Sequence, residues 1–168
     1  MTGQRRTRFV ELSHVITDGM VTLPDWQPPR ITDYLTREDS RARYAPGVEF
    51  HVGRIDMIAN TGTYLDAPSH RWADGVDLTG VPLDRLADLP GLLVRVPAGT
   101  RAVDRAMLEP YEVAGRAVLL HTGWDAHFGT ARYAAPDAPH LTGEGADWLV
   151  AAGATLVGAH ELLINNAR

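Results

Sequence analysis

Cysteine and lysine are both missing from this chain of 168 residues. Without cysteine there is neither a disulfide framework nor a thiolate metal site, so any metal must be held by histidine, carboxylate or other oxygen and nitrogen donors. Without lysine, all 16 basic residues are arginines, and they are scattered among 21 acidic residues for a net charge of -5. No basic face forms, and no nucleic-acid partner is expected. Long apolar runs are lacking too. No stretch approaches the ~20 residues that span a bilayer, so no membrane partner is expected. The basic start, Met1 to Arg8, leads into a short segment, Phe9 to Ile16, that Glu11 and His14 interrupt. That is not the apolar stretch of a signal peptide, and a cytoplasmic protein is expected. Phosphate loop, nucleophile elbow and dinucleotide fingerprint are likewise absent.

What is present suits one globular domain over residues 1–168, with 45% hydrophobic and 22% charged residues and no repeat or linker. Phe9 to Ile16 reads as a strand closed by the turn pair Asp18-Gly19. Pro24, Pro28 and Pro29 mark an extended surface loop. From Val48 to Ile58 the apolar alternation changes phase across Gly53, which predicts a bulge there. Leu92 to Val96 and Ala117 to Leu120 fit buried strands, with a short helix between them over Val103 to Tyr111. Thr142 can cap a further helix whose apolar stripe is Ala146, Leu149 and Val150, with Gly153 at its end and Thr155 to Val157 as a last strand. Mixed in this way, strands and helices predict an α/β domain: a mixed β-sheet with flanking helices.

Chemistry concentrates in Asn60-Thr61-Gly62-Thr63-Tyr64-Leu65-Asp66-Ala67-Pro68-Ser69-His70. Asp66 and His70 stand four apart on a turn stiffened by Pro68. One reading has the carboxylate and imidazole grip a divalent cation whose bound water attacks a carbonyl near neutral pH. In the other, Asp66 caps a turn and His70 bonds nearby backbone.

This segment resembles the signature His-x-Gly-Thr-His-x-Asp-x-Pro-x-His of the cyclase family, which includes kynurenine formamidases (arylformamidases) and related manganese- or zinc-dependent hydrolases. Gly62, Thr63, Asp66, Pro68 and His70 match it. Glu11-Leu12-Ser13-His14 with Asp18-Gly19-Met20 resembles the family's opening strand and turn, and His121-Thr122-Gly123-Trp124 its Thr-Gly-Trp strand end. Leu141-Thr142 through Gly158 resembles its late helix and strand. The resemblance implies a swivelling β/β/α-like fold, a divalent metal (Zn²⁺ or Mn²⁺), a small-molecule substrate and a homodimer or higher homo-oligomer. It implies metal ligation by Asp66 and His70, with Asn60 and Tyr64 at the remaining ligand positions, and hydrolysis of a small amide as the reaction.

Three departures bear on that implication. Asn60 and Tyr64 replace the family's outer histidines. Asparagine offers only a neutral carbonyl, and a phenol with an ordinary pKa of ~10 seldom ionises to ligate. Each also has a structural reading, with Asn60 capping the turn and Tyr64 packing its ring. The family's later segments, which add a histidine and a glutamate, are not matched by His160-Glu161, so the domain is expected to be shortened at its C-terminus. A catalytically degenerate or truncated member that binds a small molecule or a partner without turnover is the alternative function.

Among other candidates, Thr63 or amides near Gly62 would steady an oxyanion, and His121 would serve as a catalytic or substrate contact at a strand end. Trp26, Trp72 and Trp124 either line an aromatic substrate pocket or fill the core. His14 and His51 are expected to be hydrogen-bonded structural histidines on strands, His127 and His140 solvated surface residues, and Trp148 structural.

Overall fold

In the computed structural model, which describes residues 9–159, the chain's contacts divide it into two units, residues 9–22 with 26–65 and residues 23–25 with 66–159. His160 and Glu161 lie outside the described residues.

The first unit is built on an antiparallel pair, β1 (Arg30–Leu35) with β2 (Val52–Asp56), joined through helix α1 (Arg37–Arg43). Helix α1 starts at Thr36, whose hydroxyl accepts from the Asp39 amide at 3.1 Å and donates to its carboxylate at 2.8 Å. Acidic Glu38 and Asp39 in the first turn and basic Arg41 and Arg43 in the last complement the helix dipole. Ser40 is fully buried yet satisfied, donating to Arg37 O at 2.8 Å and accepting from Phe50 N at 3.0 Å. The ladder does shift register, but between Asp33 and Leu35, opposite Gly53 and Val52. The extra residue is therefore Tyr34 on the partner strand and not Gly53. Strand β1 itself was not expected. Conversely, Phe9 to Ile16 pairs with no strand among the described residues, and Phe9 and Val15 are 92% and 79% exposed. Alternation proposes a strand, but only a partner's backbone makes one. The turn that follows does form. Gly19 takes a left-handed φ of 72°, its amide donates to Pro29 O at 2.8 Å, and Asp18 accepts from Ile31 N at 2.7 Å.

The second unit carries the sheet β3 (Gly91–Arg95), β5 (Ala117–His121) and β7 (Leu156–Ala159), all parallel, with β5 in the centre. A shorter parallel pair, β4 (Ala102–Val103) with β6 (His140–Leu141), lies in the same unit. Helices α2 (Arg105–Leu108) and α3 (Gly143–Ala151) pack on each other. The core of this unit is wholly aliphatic: Val94, Val96, Val103, Leu108, Val113, Val118, Leu120 and Leu149. Fully burying a side chain of this kind stabilises by about 1.5–3 kcal/mol. Along β5, Val118 and Leu120 face that core, while Leu119 is 36% exposed on the opposite face.

Helix α3 begins at Thr142, whose hydroxyl accepts from the Gly145 amide at 3.0 Å, as expected. Leu149 carries its buried stripe, but Val150 is 78% exposed and does not share it. Helix α2 is shorter than its pattern. Asp104 caps it through Met107 N at 3.0 Å, and Pro110, with no amide hydrogen, stops the ladder soon after Leu108. The antiparallel pair, parallel sheet and flanking helices make an α/β fold of mixed strand direction.

Candidate functional site

Asp66 opens the second unit, and a tightly wound loop follows it. Residues Pro68–His70 form one 3₁₀ turn with proline in its first turn. Pro68 O accepts from the amides of Arg71 at 3.1 Å and Trp72 at 2.9 Å. Ser69 N donates to Val76 O at 3.0 Å and Gly75 N to Trp72 O at 2.9 Å, closing the loop on itself. Gly75 is required there, because a Cβ on it would stand 2.7 Å from Pro68 C and 2.8 Å from Ser69 N. His70 is thus held by backbone geometry.

The winding brings His70 Nδ1 to 3.5 Å from Asp66 Oδ1, with the two side chains 57% and 44% exposed. The pair lies on one side of the loop. Two donors on one tetrahedral ion, with bonds of about 2.0–2.1 Å, stand roughly 3.3 Å apart, so this spacing fits two corners of a divalent-ion site. The described residues contain no group of three or more histidine, cysteine, aspartate or glutamate side chains arranged to hold an ion. Asp66 and His70 therefore fit a divalent ion as a pair and leave the other corners to water, substrate or neutral donors.

The remaining candidates divide between the units. Asn60, Thr63, Tyr64 and Trp26 belong to the first. There Gly62 has φ 69° and lies so close to Ile16 that a Cβ would meet its Cγ1 at 3.1 Å, and buried Thr61 donates to Ile58 O at 2.6 Å. Thr63 and Tyr64 are exposed, and Trp26 is 37% exposed. A shallow open concavity in this unit is lined by Arg30, Thr32, Arg54 and Asp56, with no aromatic side chain. His51, at the foot of β2, is hydrogen-bonded through Nε2 to Asp33 Oδ1 at 2.6 Å, as expected.

In the second unit, Trp72 is 62% exposed at the end of the Asp66 loop. His121 is half-buried as the last residue of β5, and its carbonyl accepts from Val96 N at 2.9 Å. Trp124 is half-buried and pinned. Its indole nitrogen donates to Tyr133 O at 3.0 Å, and the Arg132 guanidinium lies 4.7 Å from its ring centroid. Arg132 is fixed in turn by two bonds of 2.7 Å to Asp137, and these hold the Asp137 carboxyl below the usual carboxylate range. His127 is half-buried, its ring edge-on to Trp124 at 4.7 Å, and His140 is half-buried in β6. Neither is the solvated residue expected. One tryptophan and one arginine organise this segment and draw His127 against the Trp124 ring.

The family model described as "Putative cyclase" matches residues 10–164. The chain belongs to the cyclase family. It is 31% identical over 151 residues to a kynurenine formamidase of Erythrobacter litoralis, covering 90% of this chain and 64% of that protein. It is 30% identical over 104 residues to cyclase-like protein 1 of Oryza sativa subsp. japonica, covering 60% of this chain and 36% of the relative. The chain thus spans between about a third and two thirds of these curated relatives. A solved structure described as a potential metal-dependent hydrolase with cyclase activity superposes with a TM-score of 0.71 at 21% identity, over 93% of this chain and 69% of that one. A structure described as a novel cyclase gives 0.58 at 19% identity, over 88% and 62%. These two likenesses place the fold of this cyclase-family chain. Among its described residues no helix is long and apolar enough to cross a membrane.

Proposed function

We propose that this cyclase-family protein is a metal-dependent hydrolase of a small amide or related carbonyl compound, similar in reaction to an arylformamidase. The observation that carries the reading is the 3.5 Å approach of His70 Nδ1 to Asp66 Oδ1 on a loop locked by Gly75. Asp66 and His70 would hold the cation, zinc or manganese. When bound, such an ion polarises a carbonyl and lowers the pKa of coordinated water. Asp66 contributes the negative charge that recruits the ion. His70 contributes a neutral nitrogen, and the backbone bonds of its turn fix the main chain that carries it, so only side-chain ordering is left to oppose binding. His121, at the carboxyl end of the central strand, is the candidate substrate contact. A cytoplasmic homo-oligomer acting on a small-molecule substrate completes the proposal.

Metal content of protein purified without chelator, followed by hydrolysis of N-formylkynurenine with added Mn²⁺ or Zn²⁺, tests it. A bound divalent ion and measurable turnover are expected in the wild type. Asp66→Asn should lower both ion affinity and rate by roughly 100-fold or more, the upper end of what even outer-shell partners of a metal contribute. A protein with no ion and no turnover under these conditions sinks the proposal. It would favour a second reading, in which the protein binds a small molecule without converting it. That reading draws on Asn60 and Tyr64 at the family's histidine positions and on the lack of a three-ligand cluster among the described residues.

A further inference from the structure

The parallel sheet of the second unit has two unlike faces. Val94, Val118 and Leu120 point into the aliphatic core. On the other face, Leu93 pairs with Leu119 and Arg95 pairs with His121. Leu93 and Leu119 are 47% and 36% exposed, Arg95 is exposed, and His121 is half-buried. Register partners on neighbouring strands share one face, so the leucine pair, an aliphatic platform, is followed two residues on by an arginine in register with a histidine. Gly158 of β7 extends the platform, since even a Cβ there would press on Leu119 Cδ2 at 3.2 Å. In parallel α/β sheets, the carboxyl ends of the strands are where ligands are received.

Chemistry at that edge is one-sided. Elsewhere in this unit Arg105 and Arg132 sit against carboxylates at 2.6 and 2.7 Å, whereas Arg95, like Arg71, Arg85, Arg101 and Arg116, forms no such pair among the described residues. Among the described residues Arg95 has no ion pair, and its nearest strand neighbour offers another nitrogen donor in place of an acid. A planar fork of guanidinium donors matches a carboxylate in two parallel bonds, and an imidazole N–H can supply a third. The platform beside it suits an apolar body of a few carbons.

From this we infer that Arg95 and His121 form a carboxylate-recognition site, and that the molecule taken at the sheet's carboxyl edge is a small organic acid whose apolar part rests on Leu93 and Leu119. Arg95 sets specificity by charge, His121 adds a directed hydrogen bond, and the leucines add affinity without regard to charge. The inference deepens the proposed function by naming the class of substrate, but binding can be read without turnover, so a protein that hydrolyses nothing is still a valid subject for the test.

The test compares 4-fluorobenzoate with 4-fluorobenzamide, which share a ring and differ in charge, by ¹⁹F NMR titration of the full chain. Wild-type protein is expected to bind the carboxylate about tenfold more tightly than the amide, as a charge-assisted bidentate contact requires. Arg95→Gln should abolish that preference while leaving the weak amide affinity in place. Arg105→Gln, which removes the same charge from helix α2, should leave the preference intact. Equal affinities in the wild type, a preference that survives in Arg95→Gln, or a preference lost equally in Arg105→Gln would each overturn the inference.

Discussion

At Gly75, the space for a single methyl group is already taken by the backbone of Pro68 and Ser69. An alanine there must push two peptide groups apart, and forced overpacking of this kind costs about 1–3 kcal/mol. The expected result for Gly75→Ala is an unfolding free energy, read from urea titration, lowered by that amount, together with weaker metal retention, because the displaced backbone is the one that holds His70. Wild-type stability and ion content in the variant would show that the loop does not position the pair. At this scale the sequence is readable where one side chain acts on its own neighbours. Asp66 and His70, four apart around a proline, could be read as one constellation, and Thr142 as a cap. It is unreadable where a distant partner decides. Nothing local to His127 announces the ring of Trp124, and nothing in Val150 says that it faces outward beside the inward Leu149.

Among the elements, the stretch from Trp124 to Asp137 depends most on charge. Arg132 bridges the Trp124 ring and the Asp137 carboxylate, while Arg101 donates to Pro136 O at 2.6 Å. Because its hydrogen bonds to Arg132 hold the folded Asp137 carboxyl below the usual range, the stabilisation it gives is complete above that range. It is lost as pH falls through the lowered value. Tryptophan emission should therefore shift on acidification below the ordinary carboxylate range. Asp137→Asn should show the acid-state emission already at neutral pH. Identical titrations of the two proteins would separate the carboxylate from the indole's environment. Strands β3 and β5 and helix α3 were legible because apolar runs and caps are local signals. Strand β1 was not, since Arg30 to Leu35 alternates weakly and becomes a strand through β2. The irregularity expected at Gly53 was sensed on one strand and resolved on the other, for a phase change tells that two strands disagree in length without telling which carries the surplus.

For the molecule as a whole, the clustered aliphatic core belongs to the second unit, while all five residues of β2 are exposed. Opening free energies follow buried apolar contact. Amide hydrogen exchange should thus be slower in β3, β5 and β7 than in β1 and β2, by roughly tenfold or more, since ~1.4 kcal/mol of additional protection already gives that factor. Uniform exchange across both sets of strands would contradict it. The α/β class and family membership were readable along the chain because the motifs recur in order from Glu11 to Gly158. The division into two units was not, because no linker composition marks it.

The core of the second unit contains only valine and leucine, with Tyr111 and Trp148 packed at its margin. Its melting is therefore seen by ultraviolet spectroscopy only through that margin, while Trp26, Trp72 and Trp124 report surroundings outside the core. Methyl resonances see what those chromophores miss. A fluorescence transition in this protein therefore blends the core margin at Trp148 with the surroundings of the other three indoles.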